Sequence, residues 1–282
     1  MSLNYQTLSL NNYNLFYYKN VPDDAKAVIL IIHGFRGHSG QYEELVNYLN
    51  MNNYGVYGFD QRGHGRSAEL PGYVDDFKDF IVDIKHMIVL MKANNESMPI
   101  YTIGHSMGGL TSFIYGALYP ETIHGQIFSA AALSLPFGVR FIPKVFFHLL
   151  KKFPKIKIYP IIRRTASRNK EFSKQMKKDP YAIECATTGF FYEFLFRGIG
   201  MVKNYKNKYN VPCLLMHGKK DKIIPFHSSI NIYDALSIDN KSLIIYEGLY
   251  HELLQEPERK KLYLDIITWL DDMLSMNSII KP

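Results

Sequence analysis

The chain has 282 residues, 47% of them hydrophobic and 21% charged, with a formal net charge of +7. That length buries a full core in one domain, with or without a subordinate insertion, and the composition excludes disordered and fibrous classes. Cys185 and Cys213 are the only cysteines, far apart and in no metal-binding spacing, so neither a disulfide framework nor a structural zinc is expected.

In chain order, Asn4 to Leu10 and Tyr13 to Lys19 read as short strands joined across Asn11-Asn12, a hairpin at a sheet edge. Continuous apolar runs follow at Ala27 to Ile32 and at Ile100 to Ile103, the pattern of strands buried on both faces of a parallel sheet. Helical spacing separates them. Tyr42, Leu45, Val46 and Leu49 mark one helix; Phe77, Ile81, Ile84 and Ile88 mark another, opening at Asp75 and Asp76.

The alternation resumes with Gln126-Ile127-Phe128 and, after a long lysine-rich stretch, with Cys213 to Met216 and Ser242 to Tyr246. A last helix after Pro257 carries Leu262, Ile266, Trp269, Leu270 and Met273 on one face. Strands alternating with helices predict a doubly wound, mainly parallel sheet. The interval Leu133 to Asn210 interrupts it. We read it as a mostly helical cap inserted over the carboxyl ends of the strands, where such sheets bind ligands, with residues 1–132 and 211–282 forming the catalytic domain.

Gly104-His105-Ser106-Met107-Gly108 ends one predicted strand and begins a predicted helix, the setting required of a G-x-S-x-G nucleophile elbow. A serine is a weak nucleophile at neutral pH; a base must take its proton and an acid must hold that base in the right tautomer. In the α/β-hydrolase arrangement the chain order is serine, acid, histidine. Asp221, past the strand Cys213 to Met216, and His251, past the last strand, satisfy it. Asp239 and Glu247 compete with Asp221, but Asp239 lies in a polar turn before the final strand.

Acyl transfer also needs backbone N–H groups aimed at the developing oxyanion. His33-Gly34-Phe35 follows the first long buried strand, so Phe35 and Met107 are the predicted donors, and no metal or organic cofactor is required. Other histidines, among them His217, His227, His86 and His124, read as structural or solvated. Gly58 to Gly65 lacks the lysine and helix of a phosphate-binding loop; it reads instead as a buried turn in which Asp60 and Arg62 pair.

Together these segments resemble the monoacylglycerol lipase and lysophospholipase family of α/β-hydrolases. The resemblance runs through His33 to Tyr42, Asp60 to Ser67, Gly104 to Gly109 and His217 to Asp221, and covers nearly all of the catalytic domain but little of the cap. It implies Ser106, Asp221 and His251 as triad and Phe35 and Met107 as oxyanion donors. Gly37 and Gln41 stand where glycerol-recognising relatives carry an acidic residue and an arginine. The implied substrates are single-chain lipid esters or small esters; an acyltransferase on the same triad, or a ligand-binding protein without catalysis, are the alternatives.

Location of charge suggests a partner. From Arg140 to Lys178 a run of lysines and arginines faces the single acid Glu171, while the rest of the chain is net acidic. Pro143 to Lys152 can form an amphipathic helix with Val145, Phe146, Leu149 and Leu150 on one side and Lys144, His148 and Lys151 on the other. This predicts peripheral docking on anionic membrane; nucleic acid is not expected, because no recognition motif accompanies the charge. The opening Met1 to Gln6 lacks the basic start and apolar core of a secretory leader, and a cytosolic protein is expected.

Overall fold

The computed structural model describes residues 3–10, 13–139, 141, 145, 151–159 and 166–280. The run Ala27 to Ile32 shows how its sheet is built. Val28, Leu30 and Ile32 enter one hydrophobic core while Ala27, Ile29 and Ile31 enter another, all fully buried. Side chains alternate across a strand, so one that is apolar at every position requires cover on both faces. Each such Val, Leu or Ile contributes about 1.5–3 kcal/mol by leaving water.

The strands are β1 (Tyr5–Leu10), β2 (Tyr13–Asn20), β3 (Ala27–Ile32), β4 (Tyr54–Phe59), β5 (Ile100–His105), β6 (Gly125–Ser129), β7 (Lys157–Ile158), β8 (Ala186–Thr187), β9 (Cys213–Gly218) and β10 (Lys241–Tyr246). An eight-stranded sheet runs in the order β1-β2-β4-β3-β5-β6-β9-β10. The β1–β2 and β2–β4 pairs are antiparallel; every other pair is parallel. The predicted hairpin is thus the sheet edge, although its Asn11-Asn12 turn lies outside the described residues.

Helices α1 (Glu43–Met51), α2 (Lys78–Asn94) and α3 (Met107–Leu118) alternate with these strands, as do α7 (His227–Ala235) and α8 (Arg259–Ile280) later in the chain. The first and last bury Leu45, Val46 and Leu49, and Leu262, Ile266 and Leu270, in one core; α2 and α3 bury Phe80, Ile84, Ile88, Leu110 and Phe113 in the other. Helix α2 begins at Lys78 rather than at Asp75. Asp76 instead accepts a 2.8 Å hydrogen bond from the Lys78 N–H, so it caps the turn that leads in.

Between β6 and β9 the described chain forms α4 (Lys170–Lys178), α5 (Thr188–Tyr192), a π-helical turn over Glu193–Gly198 and α6 (Ile199–Tyr205). It also forms a two-stranded antiparallel ladder of β7 with β8. The amphipathic helix expected over Pro143 to Lys152 falls almost wholly outside the described residues. This segment meets the sheet domain at close backbone contacts. The Thr187 N–H and hydroxyl both donate to the Gly72 carbonyl at 2.8 and 2.9 Å. A Cβ on Gly72 (φ +64) would lie 2.4 Å from Ala186 Cα, so only glycine fits there. None of the described helices is long and apolar enough to cross a membrane.

Candidate active site

β5 delivers Ser106 into a backbone conformation that side chains rarely adopt, φ 52 and ψ −114, and α3 starts at the next residue. Such strain costs about 1–3 kcal/mol and persists only where surroundings over-determine it. Here the Ser106 N–H donates to the Ser129 carbonyl at 2.9 Å, and the Ser106 carbonyl accepts from Ala132 N–H at 2.9 Å. The glycines around it are steric necessities. A Cβ on Gly108 would lie 2.2 Å from the Ile32 carbonyl oxygen, and one on Gly104 2.6 Å from that of Gly108.

His251 follows β10 and Asp221 follows β9, so both arrive at the sheet rim that carries Ser106. The Ser106 hydroxyl lies 2.9 Å from His251 Nε2, and His251 Nδ1 lies 2.7 Å from Asp221 Oδ2. A carboxylate only accepts, so Nδ1 carries the ring proton and Nε2 offers its lone pair to the hydroxyl. Asp221 Oδ1 accepts the N–H groups of Ile223 (2.7 Å) and Ile224 (3.0 Å). Burial alone would raise the Asp221 pKa; the neighbouring His251, with hydrogen bonds from His217 and His251, outweighs it and holds the carboxyl far below its usual range. For His251 burial pulls downward, yet the Asp221 charge, with Glu252 beside it, wins and leaves the ring above its ordinary value.

The loop after β3 lies directly against the elbow. A Cβ on Gly34 would sit 3.2 Å from Ser106 Cβ and 2.8 Å from His105 Cδ2, which is why the chain can bring Phe35 beside the nucleophile. His33 and Gln61 brace this loop: His33 Nε2 accepts the Gln61 N–H at 2.9 Å, and the Gln61 amide donates to the His33 carbonyl at 2.6 Å. Burial pushes the His33 pKa down to about 3, so the ring stays neutral and keeps that acceptor. The Phe35 ring stacks on Phe190 of α5 at 5.1 Å and meets Phe191 edge-on at 5.7 Å.

Every residue predicted for the site therefore lies at one rim. The Gly58 to Gly65 turn is largely buried, as expected, but its pairing differs from the expected one. Asp60 does not pair with Arg62: its Oδ1 accepts the Ser39 N–H (2.9 Å) and hydroxyl (2.5 Å), and its Oδ2 the Arg66 N–H (2.8 Å). Arg62 instead makes a two-pronged contact with Asp83 of α2 at 2.7 and 2.6 Å, because the turn runs alongside that helix and Asp83 is wholly buried. Of the two roles expected for His217, structural or solvated, the fold selects the first: the ring is fully buried, with Nε2 3.1 Å from Asp221 Oδ2 and Nδ1 2.7 Å from the Ser229 hydroxyl. Its position four residues before the acid was the available signal. Gln41 reaches toward α4, donating to Met176 Sδ at 2.8 Å and to Asp179 at 3.4 Å.

A mainly parallel sheet, with a serine at a strand-to-helix elbow and an acid and a histidine from later strand ends in hydrogen-bonded line with it, defines an α/β-hydrolase. Residues 23–258 match the family described as "Serine aminopeptidase, S33", and the chain belongs to that family. The monoacylglycerol lipase of Mycolicibacterium smegmatis is 29% identical over 252 residues, covering 88% of this chain and 90% of that protein. The monoglyceride lipase of Homo sapiens is 28% identical over 261 residues, covering 91% and 86%. The crystal structure of Paleococcus ferrophilus monoacylglycerol lipase superposes with a TM-score of 0.81 at 25% identity, covering 93% of this chain and 98% of that one.

Proposed function

We propose that this chain is a serine carboxylester hydrolase that cleaves single-chain lipid esters, such as monoacylglycerol or lysophospholipid, or small esters. The observation that carries the reading is the unbroken line from Ser106 through His251 to Asp221, at 2.9 and 2.7 Å. As His251 Nε2 takes the hydroxyl proton, Ser106 Oγ bonds to the ester carbonyl carbon, and the carbonyl oxygen becomes an oxyanion. The N–H groups of Phe35 and Met107 receive that charge. Collapse breaks the bond to the leaving alcohol, which takes the proton back from His251. Water, activated by the same base, then cleaves the acyl-enzyme and regenerates Ser106.

Residues 133–210 serve as the cap, and Phe190 and Phe191 give the acyl chain an aromatic wall beside Phe35. The family description names a peptidase, but the relatives from Mycolicibacterium smegmatis and Homo sapiens, similar over most of this chain, are lipases. An ester panel that varies acyl length and head group separately tests the substrate, and product analysis in the presence of glycerol separates hydrolysis from acyl transfer. Preference for an unacylated peptide amide over every ester would overturn the reading. Because base and oxyanion donors come from His251 and the backbone, hydrolysis is expected to proceed undiminished in EDTA; loss restored by a divalent ion would count against it.

The same cap docks on anionic membrane. Phe141, Val145, Phe153, Ile156 and Tyr159 are exposed, from 55 to 84%, around the exposed Lys151, Lys152 and Lys155. Apolar side chains interleaved with lysines suit a negatively charged lipid surface. Co-sedimentation with vesicles checks it: binding should rise with anionic lipid and fall with salt, and equal, negligible binding to neutral and anionic vesicles would refute it.

A further inference from the structure

His105, between Gly104 and the nucleophile, takes no part in the chemistry above, yet its surroundings are unusual. Nδ1 lies 3.1 Å from the Ser129 carbonyl oxygen. A carbonyl can only accept, so Nδ1 carries the proton and, in the neutral ring, Nε2 carries the lone pair. That Nε2 is buried and 3.1 Å from Glu252 Oε2, but off the direction a hydrogen bond needs, and it has no hydrogen-bond partner among the described residues. A lone pair and a carboxylate thus face each other across a gap that suits a shared cation. A nitrogen and an oxygen on one tetrahedral zinc ion, each at about 2.0–2.1 Å, sit about 3.3 Å apart.

His251 completes the set. Its ring centre is 5.0 Å from that of His105, and one ligating atom from each of His105, His251 and Glu252 falls within 4.8 Å of the others. Metal-binding histidines characteristically donate their far N–H to a carbonyl or carboxylate, which fixes the ring and makes the ligating nitrogen more basic. His105 does so to Ser129 and His251 to Asp221. Glu252, its side chain 23% exposed, opens the cluster to solvent.

We propose that His105, His251 and Glu252 form an inhibitory site for zinc, a reversible brake on the hydrolase. Two imidazoles and one carboxylate suit zinc with water in the fourth position, whereas magnesium and calcium require oxygen ligands. Whichever nitrogen of His251 the ion takes, the base is lost: Nε2 is the atom that receives the Ser106 proton, and Nδ1 is the atom that Asp221 holds. The inhibition rests on the triad reading above; the binding does not.

Calorimetric titration of the Ser106→Ala chain with zinc chloride measures binding without activity. One zinc per chain is expected, and Glu252→Gln or His105→Gln in that background should weaken it about tenfold or more. In the unmodified chain, zinc should abolish hydrolysis of p-nitrophenyl butyrate in parallel with binding, EDTA should restore it, and magnesium or calcium should not imitate it. Glu252→Gln should raise the half-inhibiting zinc concentration by the same factor. Absence of one-to-one binding, or binding that Glu252→Gln leaves unchanged, would overturn the site; tight binding with undiminished hydrolysis would overturn its inhibitory role. Hydrolysis that survives Ser106→Ala would instead mark a failure of the triad reading.

Discussion

Helices α3 and α4 lie at opposite ends of one design. Eleven of the twelve residues of α3 are buried, and it begins directly after Ser106; none of the nine residues of α4, in the segment between β6 and β9, is buried. The contrast extends to polar contacts. Asp221 is approached by two histidines and two backbone N–H groups within the sheet domain. The segment between β6 and β9 meets the sheet domain through separate links, such as His38 with Asp179 at 2.6 Å and Arg168 with Glu256 at 2.5 Å. Proton transfer tolerates little misplacement, and the proposed triad sits where packing is tightest. For the segment proposed to admit acyl chains and to meet a membrane, looser attachment is an advantage.

The sharpest break would come from the rigid side. Ser106→Ala should lower turnover by about a million-fold and abolish fluorophosphonate labelling, while the thermal unfolding temperature stays close to that of the native chain. Labelling that persists would remove Ser106 from the mechanism.

Next in size, Asp221→Asn should cost about ten-thousand-fold, since an amide no longer enforces the tautomer of His251. The pH profile sharpens this. His251 is raised above its ordinary value by Asp221 despite its burial, and only the neutral ring accepts a proton. Activity of the native chain should therefore fall as pH drops through that raised pKa. Without the Asp221 charge the pKa falls, and the acid limb of the residual activity should move to lower pH. A limb that stays in place would show that Asp221 does not act on His251.

The segment proposed as the cap should yield smaller and more selective effects. Phe191→Ala, which removes an edge-on contact to Phe35, should lower kcat/KM for long-chain esters about tenfold and leave acetyl and butyryl esters nearly unchanged. Equal losses across chain lengths would place Phe191 outside the acyl path. Smallest of all, Lys152→Ala should weaken binding to anionic vesicles about fivefold, as expected for about 1 kcal/mol per lysine at such a surface, without affecting hydrolysis of a soluble ester.

Much of the candidate site is legible in the sequence because its requirements are local. An elbow needs glycine where a Cβ would strike the neighbouring backbone, and Gly104 and Gly108 announce it; a triad of fixed chain order then directs attention to the ends of later strands, where Asp221 and His251 stand. The sheet was legible for a similar reason. A strand covered on both faces must be apolar at every position, as Ala27 to Ile32 is.

Contacts between distant residues that no motif marks belong to the tertiary structure alone. Arg62 had several carboxylates within reach along the chain, and only the packing of α2 against its turn assigned it Asp83 instead of Asp60. The lean of Phe190 and Phe191 on Phe35, the brace between His33 and Gln61, and the meeting of His105 with Glu252 likewise join segments that no periodicity or spacing connects. Side-chain type and local backbone limits are written residue by residue, whereas the choice of partner among chemically equivalent groups depends on which surfaces the folded chain brings within a few ångströms.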